Sequence, residues 1–308
     1  MTWHWQLAHR DASSETDAFT WHHLDVSAPE ARDWLAAESG IPPSAIRALI
    51  ATETRPRTES FDSGALINLR GLGTDPDTDL DPLVSIRLWA TSGMVISASY
   101  RELDGLDALR EDMTSGTLHD PGDLVSALAM HITERLDPHI GALGDTIDEC
   151  EEDLRVDQAF ALRRTIGRTR STAIVYRRFV SPQRQALEGL AALECSWLED
   201  ADRLHLRDAA DRFARMAEEL EAIRERAALL HEQLTDLRAE LIDTRTLVLS
   251  VVALVFLPLT FLSGLLGMNV DGIPYAHEPW AFWGVIAICV VIAAGVGVYF
   301  VRARWFTG

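Results

Sequence analysis

The sequence predicts an α+β soluble domain, then long helices that continue into two C-terminal transmembrane helices. Three observations carry this. Residues 247–266 and 280–301 are uncharged apolar runs. Residues 19–26, 65–70, 83–90 and 94–100 have the β-type alternation of strands. From Asp120 onward glycine and strand formers thin out, and charged residues alternate with Leu and Ala at helical spacing.

The elements follow in chain order. Strand 19–26 leads to helical patterns over 28–37 and 43–52, with Ser27 a cap and Pro29 early in the first helix. Strand 65–70 precedes a Gly-, Pro- and Asp-rich loop over 71–81. Strands 83–90 and 94–100 flank Thr91-Ser92-Gly93, a hairpin turn. Helices are expected over about 122–156 and 157–197. A third starts near residue 201 and meets no breaker until Pro258, longer than an ordinary globular helix. The expected division is a soluble α/β domain over 1–120, a long-helix funnel or stalk region over 121–245, and a membrane region over 246–308. Its spans are about 246–266 and 280–301, joined by an external loop, 267–279.

About twenty helical residues span about 30 Å, the hydrocarbon thickness of a bilayer. A single central Asp or Arg would cost about 2.5–3.5 kcal/mol, and neither run contains one. Arg245 precedes the first span, and Arg302 and Arg304 follow the second. The loop between them has Asp271 and Glu278 but no Arg or Lys. By the positive-inside rule both termini lie in the cytoplasm and the loop outside. Trp280, Trp283, Tyr299 and Trp305 sit at span ends, where amphipathic rings favour the interface. The start, Met1-Thr2-Trp3-His4, lacks a signal peptide's basic and apolar regions, so the first 240 or so residues are expected to stay cytoplasmic.

The chain has 308 residues and a net charge of −19. All 28 basic residues are arginine. This balance argues against nucleic-acid binding and fits a body that attracts cations. The three cysteines, Cys150, Cys195 and Cys289, lack zinc-site spacing.

At about 100° per residue, Thr246, Ser250, Ala253, Leu257, Thr260 and Gly264 fall within about 40° of one line. Such a stripe lines a water-filled path or serves dry helix packing. Both readings stand on the residues alone. Upstream, Glu232, Asp236, Glu240 and Asp243 share one adjoining face. In a symmetric oligomer they would form carboxylate rings, a device of cation channels; in a single chain they are a solvated face. Pro258 frees the carbonyl of Leu254. Gly267 permits a tight helix exit, and the neutral amide of Asn269 would hold a hydrated cation weakly at an entrance, as conduction requires.

Phe256-Leu257-Pro258-Leu259-Thr260-Phe261, followed by Gly267-Met268-Asn269 at the end of the first of two C-terminal spans, resembles the CorA family of divalent-cation transporters. Val270-Asp271-Gly272-Ile273-Pro274 is similar to its zinc-transporting, ZntB-type branch. So are Trp21-His22-His23-Leu24-Asp25, Glu53-Thr54-Arg55-Pro56-Arg57 and Leu69-Arg70-Gly71 in the soluble part. The resemblance covers essentially the whole chain. It implies a homopentamer in a bacterial inner membrane, with the first span lining the pore. Gly267, Met268 and Asn269 would form the entrance, followed by Thr260, Leu257, Ala253, Ser250 and Thr246. It implies proton-coupled movement of Zn²⁺, with Cd²⁺ and Ni²⁺ as lesser substrates. Zn²⁺ is then cargo, with no cofactor and no defined high-affinity metal site. Magnesium-type members often carry Met at the places of Leu257 and Thr246. Asp271 stands where relatives often have Gly and makes the mouth more electronegative.

His277, with Asp271 and Glu278 in the loop, suits Zn²⁺ better than Mg²⁺. Asp75-Pro76-Asp77-Thr78-Asp79 fails as a calcium loop, since Leu80 and Ile86 stand where Gly and Glu belong. Gly71-Leu72-Gly73 lacks the rest of a dinucleotide fingerprint. His22 and His23 are adjacent on a strand, so they point to opposite faces and do not share a metal. No Ser-His-Asp or Cys-His arrangement is visible, and no enzyme is expected. The rivals are a CorA-type Mg²⁺ or Co²⁺ channel and a membrane-tethered coiled-coil scaffold without a pore.

Overall fold

In the computed structural model, the described residues are 4–8, 19–37, 41–52, 55–74, 82–155, 158–268, 273, 275 and 278–302. The chain forms two compact units, residues 1–232 and 233–308.

The first unit is built on a six-stranded sheet of order β1-β2-β6-β5-β4-β3. Its strands are β1 (His4–Ala8), β2 (Thr20–Asp25), β3 (Arg57–Phe61), β4 (Gly64–Leu72), β5 (Leu83–Ala90) and β6 (Met94–Ser99). All neighbours are antiparallel except β2 and β6, which run parallel. Helices α1 (Pro29–Ala37) and α2 (Pro43–Leu49) cover one face. Their Ala31, Leu35, Ala45 and Leu49 pack with Leu24, Leu66, Trp89, Ile96 and Ala98 in a core closed to water. Arg87, on the same side of β5 as Trp89, is also buried, its guanidinium 5.2 Å from the Tyr100 ring centroid.

On the other face lies α4 (Pro121–Glu152). A Cβ on Gly71 would come within 3.1 Å of Ile132 on that helix, so glycine sets how closely α4 approaches β4. Helix α5 (Ala159–Ala191) closes the β3–β4 edge. Gln183 Oε1 accepts the Arg70 backbone N–H at 2.6 Å, beyond the point where β3 ends. Thr58 Oγ1 donates to the Ala186 carbonyl at 2.7 Å. Composition changes at residue 120, but packing does not: the sheet and the long helices that follow it form one compact unit.

Helix α6 (Asp200–Leu266) is the longest element. In the first unit it buries Leu206, Ala209, Phe213, Met216, Leu220, Ile223, Ala227 and Leu230. That three-and-four spacing is the apolar seam of a bundle helix. Arg226 bridges it to Asp148 and Glu151 on α4, and Arg177 of α5 meets Glu221 at 3.0 Å. The second unit holds the rest of α6 and α7 (Ala281–Arg302). Both carry a stretch long and apolar enough to cross a bilayer.

Several elements depart from the sequence reading. Strands β1 and β3 and helix α3 (Leu106–Ser115) were not expected. Helices α4 and α5 stop short of 156 and 197. Pro138, Pro182 and Pro258 all lie inside helices that continue past them.

The N-termini of α4 and α6 meet through paired caps. Asp120 accepts from the Asp123 N–H at 2.8 Å, and Asp123 accepts from the His119 N–H at 2.8 Å. Asp202 likewise accepts from the Glu199 N–H at 2.8 Å. A Cβ on Gly122 would lie 2.7 Å from the Trp197 carbonyl oxygen and collide with the Asp202 carboxylate. Gly122→Ala must therefore spread the two helix ends, at about 1–3 kcal/mol of overpacking. Thermal unfolding of the detergent-solubilised protein is expected to show a lowered midpoint.

Candidate functional site

The candidate cation path lies on the apolar part of α6. Thr246, Ser250, Ala253, Leu257, Thr260 and Gly264 are all exposed. The half-buried positions, Leu247, Val251, Val255, Pro258, Leu259, Leu262 and Leu266, fall on the opposite side of the helix. The stripe therefore faces outward from its own unit.

The hydroxyls have a definite polarity. Ser250 Oγ donates to the Thr246 carbonyl at 2.8 Å, and Thr260 Oγ1 donates to the Phe256 carbonyl at 2.8 Å. Both protons are given to the preceding turn of the same helix. What the two side chains present outward is oxygen lone pairs, which can accept from the water shell of a cation or bind the cation itself. Leu254, Leu257, Pro258, Thr260 and Phe261 line a shallow groove beside Pro258, whose ring supplies no N–H for the Leu254 carbonyl.

Gly267 closes the helix, its N–H donating to the Ser263 carbonyl at 2.9 Å. Its φ is not left-handed. Glycine fits here for closeness instead, since a Cβ would lie 3.0 Å from the Ser263 oxygen. Met268 is exposed. Asn269, Asp271 and His277 lie outside the described residues. Glu278 is exposed where α7 begins, its carbonyl accepting from the Ala281 N–H at 3.1 Å. A carboxylate there complements the helix dipole. Tyr275 takes a left-handed φ of 59° and sets its ring 5.1 Å from that of Trp280.

Glu232 closes the first unit and is exposed, as are Asp236, Glu240 and Asp243 in the second. Among the described residues none of the four makes an ion pair. Asp120, Asp123 and Asp202 bring ligand oxygens within 4.8 Å of one another, a grouping the sequence did not single out. Their carboxylates are engaged as helix caps.

The soluble unit also pairs histidines from different strands. His22 faces α1, within 5.0 Å of the Trp34 ring, and its Nδ1 is 3.1 Å from His4 Nε2. His23 points the other way, hydrogen-bonded to Ser97 Oγ at 2.8 Å and 5.3 Å from the Trp5 ring. Burial pushes His23 down to about 4, against the pull of Asp25. The two adjacent histidines thus occupy opposite faces, as expected. The partner of His22, His4, is on a strand the sequence reading missed.

An α/β body carried ahead of two bilayer-length apolar helices, the first with an outward hydroxyl stripe, defines a two-span membrane protein of the ion-transporter class. The chain belongs to the CorA-like Mg²⁺ transporter protein family, whose sequence profile matches residues 16–302. It is 32% identical over 286 residues to the zinc transport protein ZntB of Pectobacterium carotovorum subsp. carotovorum (strain PC1), covering 92% of this chain and 87% of that one. It is also similar to the full-length CmaX protein, with a TM-score of 0.79 and 30% identity over 98% of this chain and 97% of the other. The CorA magnesium transporter of Methanocaldococcus jannaschii shares the fold, with a TM-score of 0.80 at 19% identity over 97% and 98% of the two chains.

Within the cap cluster, Asp202 has a raised pKa. Burial pushes Asp202 up to about 6, the Glu199 N–H opposes this, and Asp120, Asp123 and Glu199 add to it. The folded state therefore holds a proton that the unfolded chain releases at the ordinary carboxylate value near 4. Stability from the protonated form is full below that value and is lost as pH rises to about 6. Thermal midpoints at pH 4, 5, 6 and 7 are expected to fall across this window, and Asp202→Asn to flatten the fall.

Proposed function

We propose that this protein transports divalent metal cations, chiefly Zn²⁺, across the bacterial inner membrane as a homopentamer. The observation that carries the reading is the stripe on α6, whose hydroxyls at Ser250 and Thr260 give their protons to their own helix and turn acceptors outward. Five copies of such a face around an axis would set rings of Ser250 and Thr260 oxygens along a path that also passes Ala253, Leu257 and Gly264. Self-association would turn the stripe toward an axis, where its outward acceptors could meet a hydrated cation. The ion is chosen from the relatives, which carry the name zinc transport protein.

In this reading Gly267, Met268 and Asn269 form the external entrance. The neutral amides of Asn269 hold a hydrated cation without trapping it, and Asp271, His277 and Glu278 concentrate cations at the mouth. The ion then passes Gly264, Thr260, Leu257, Ala253, Ser250 and Thr246. It leaves through rings of Asp243, Glu240, Asp236 and Glu232 into the cytoplasm, where both termini lie. Zn²⁺ is cargo, with Cd²⁺ and Ni²⁺ as lesser substrates, and protons are the coupling ion. The chain performs no catalysis and holds no resident cofactor. Its partners are copies of itself, the bilayer and the cation; its negative charge disfavours nucleic acid. A second reading is Mg²⁺ or Co²⁺ transport, of which Mg²⁺ is favoured by the description of the family itself.

Flux into proteoliposomes, with and without a pH gradient, separates the two: Zn²⁺ is expected to outrun Mg²⁺, and the reverse result would select the second reading. Native mass spectrometry in detergent is expected to give a pentamer, where a dimer would favour a scaffold without a pore. Thr260→Val removes an acceptor worth about 1.5 kcal/mol to a charged ligand, so Zn²⁺ flux should drop about tenfold. Asn269→Ala should lower flux similarly, and normal transport by that variant would remove its entrance role.

A further inference from the structure

We infer that His4 and His22 form a metal site on the soluble unit, taking a divalent transition-metal ion of the Zn²⁺ class, which clamps the edge strand β1 to the sheet. The choice of Zn²⁺ rests on the proposed transport function; the donor chemistry is independent of it.

Strand β1 pairs with β2 alone and forms one edge of the sheet. Its register sets Gln6 opposite His22 and His4 opposite Leu24, so His4 and His22 are diagonal neighbours on one face. Their facing nitrogens, His4 Nε2 and His22 Nδ1, are 3.1 Å apart. Two imidazoles bound to one tetrahedral Zn²⁺ at about 2.0–2.1 Å hold their nitrogens about 3.3–3.4 Å apart. The nitrogen separation is within a few tenths of an ångström of that value; the rings, 16° apart in plane with centroids 5.3 Å apart, must also tilt so that both lone pairs converge on the ion.

Trp34 of α1 packs on both rings, with centroids 4.9 Å from His4 and 5.0 Å from His22. Its indole keeps the two imidazoles side by side on this face of the sheet. His22 is 9% exposed, His4 is half-buried and Gln6, opposite His22 on β1, is exposed, so among the described residues the pair is approached from the Gln6 side. Burial lowers both histidines, and His4 lowers His22 further. Both rings are thus neutral near pH 7, the state that binds metal.

Protons balance without net release. The N–H shared by the two rings moves to the far nitrogen of its own ring, so the metal-bound pair carries its protons on His4 Nδ1 and His22 Nε2. Imidazole nitrogen selects Zn²⁺, Ni²⁺ or Cu²⁺ over Mg²⁺, which prefers oxygen.

The test is hydrogen exchange by mass spectrometry on the full-length protein in detergent, metal-free, with Zn²⁺ and with Mg²⁺. At a Zn²⁺ concentration ten times the dissociation constant, amide exchange in β1 is expected to slow about tenfold. Mg²⁺ should leave it unchanged. His4→Gln keeps a hydrogen-bonding side chain on an edge strand and should abolish the Zn²⁺ effect; His22→Gln is the second variant. No slowing in the wild type overturns the site, as does equal slowing in His4→Gln. Liposome flux is read separately: Zn²⁺ flux without protection of β1 removes this site alone, and protection without Zn²⁺ flux removes the transport reading alone.

Discussion

A backbone in hydrocarbon has no water to bond to, and every other feature of the second unit answers to that constraint. Helices α6 and α7 meet it by bonding their backbones internally. Within α6 the local solutions are visible. Ser250 and Thr260 fold their hydroxyl protons onto the preceding turn instead of leaving them unpaired. Gly267 makes the last helical bond where a side chain would crowd the Ser263 oxygen. Only at Pro258 does the ladder lose a donor, and there a groove opens. The same helix, earlier in the chain, answers to water: its Leu and Ala seam is buried against α4 and α5, and its outer face carries charge.

Much of this is legible in the chain because it depends on periodicity. Strand β5 has the bounds the alternation gives, and the third long helix runs unbroken from residue 200 into the apolar run. What escaped is what periodicity does not encode. Strand β3, Arg-Thr-Glu-Ser-Phe, lies at a sheet edge and carries charge, so it has no apolar alternation. Strand β1 is short, with two aromatic-type rings facing opposite sides, and is recognisable only through its pairing with β2. Helix α3 is one short amphipathic stretch between the left-handed Gly105 and Gly116. The His4–His22 pair was illegible for the same reason as β1. The orientation of the Ser250 and Thr260 hydroxyls is a rotamer property that spacing alone does not determine.

The family profile and the relatives point to different ions, and the chain's own chemistry bears on the choice. The sequence between α6 and α7 contains His277 beside Asp271 and Glu278, and a pair of imidazoles, His4 and His22, meets on the soluble unit. Imidazole nitrogen suits Zn²⁺ better than Mg²⁺, so these residues are compatible with the zinc-named relatives.

The inward turn of the Ser250 and Thr260 protons has a further consequence. Chloride or phosphate crossing a membrane protein needs N–H or O–H groups aimed at it. These two side chains offer it none. In the proposed pore, a wall assembled from them would disfavour anions by hydrogen-bond polarity, with no fixed charge in the hydrocarbon zone and so none of the insertion cost that a buried carboxylate would impose.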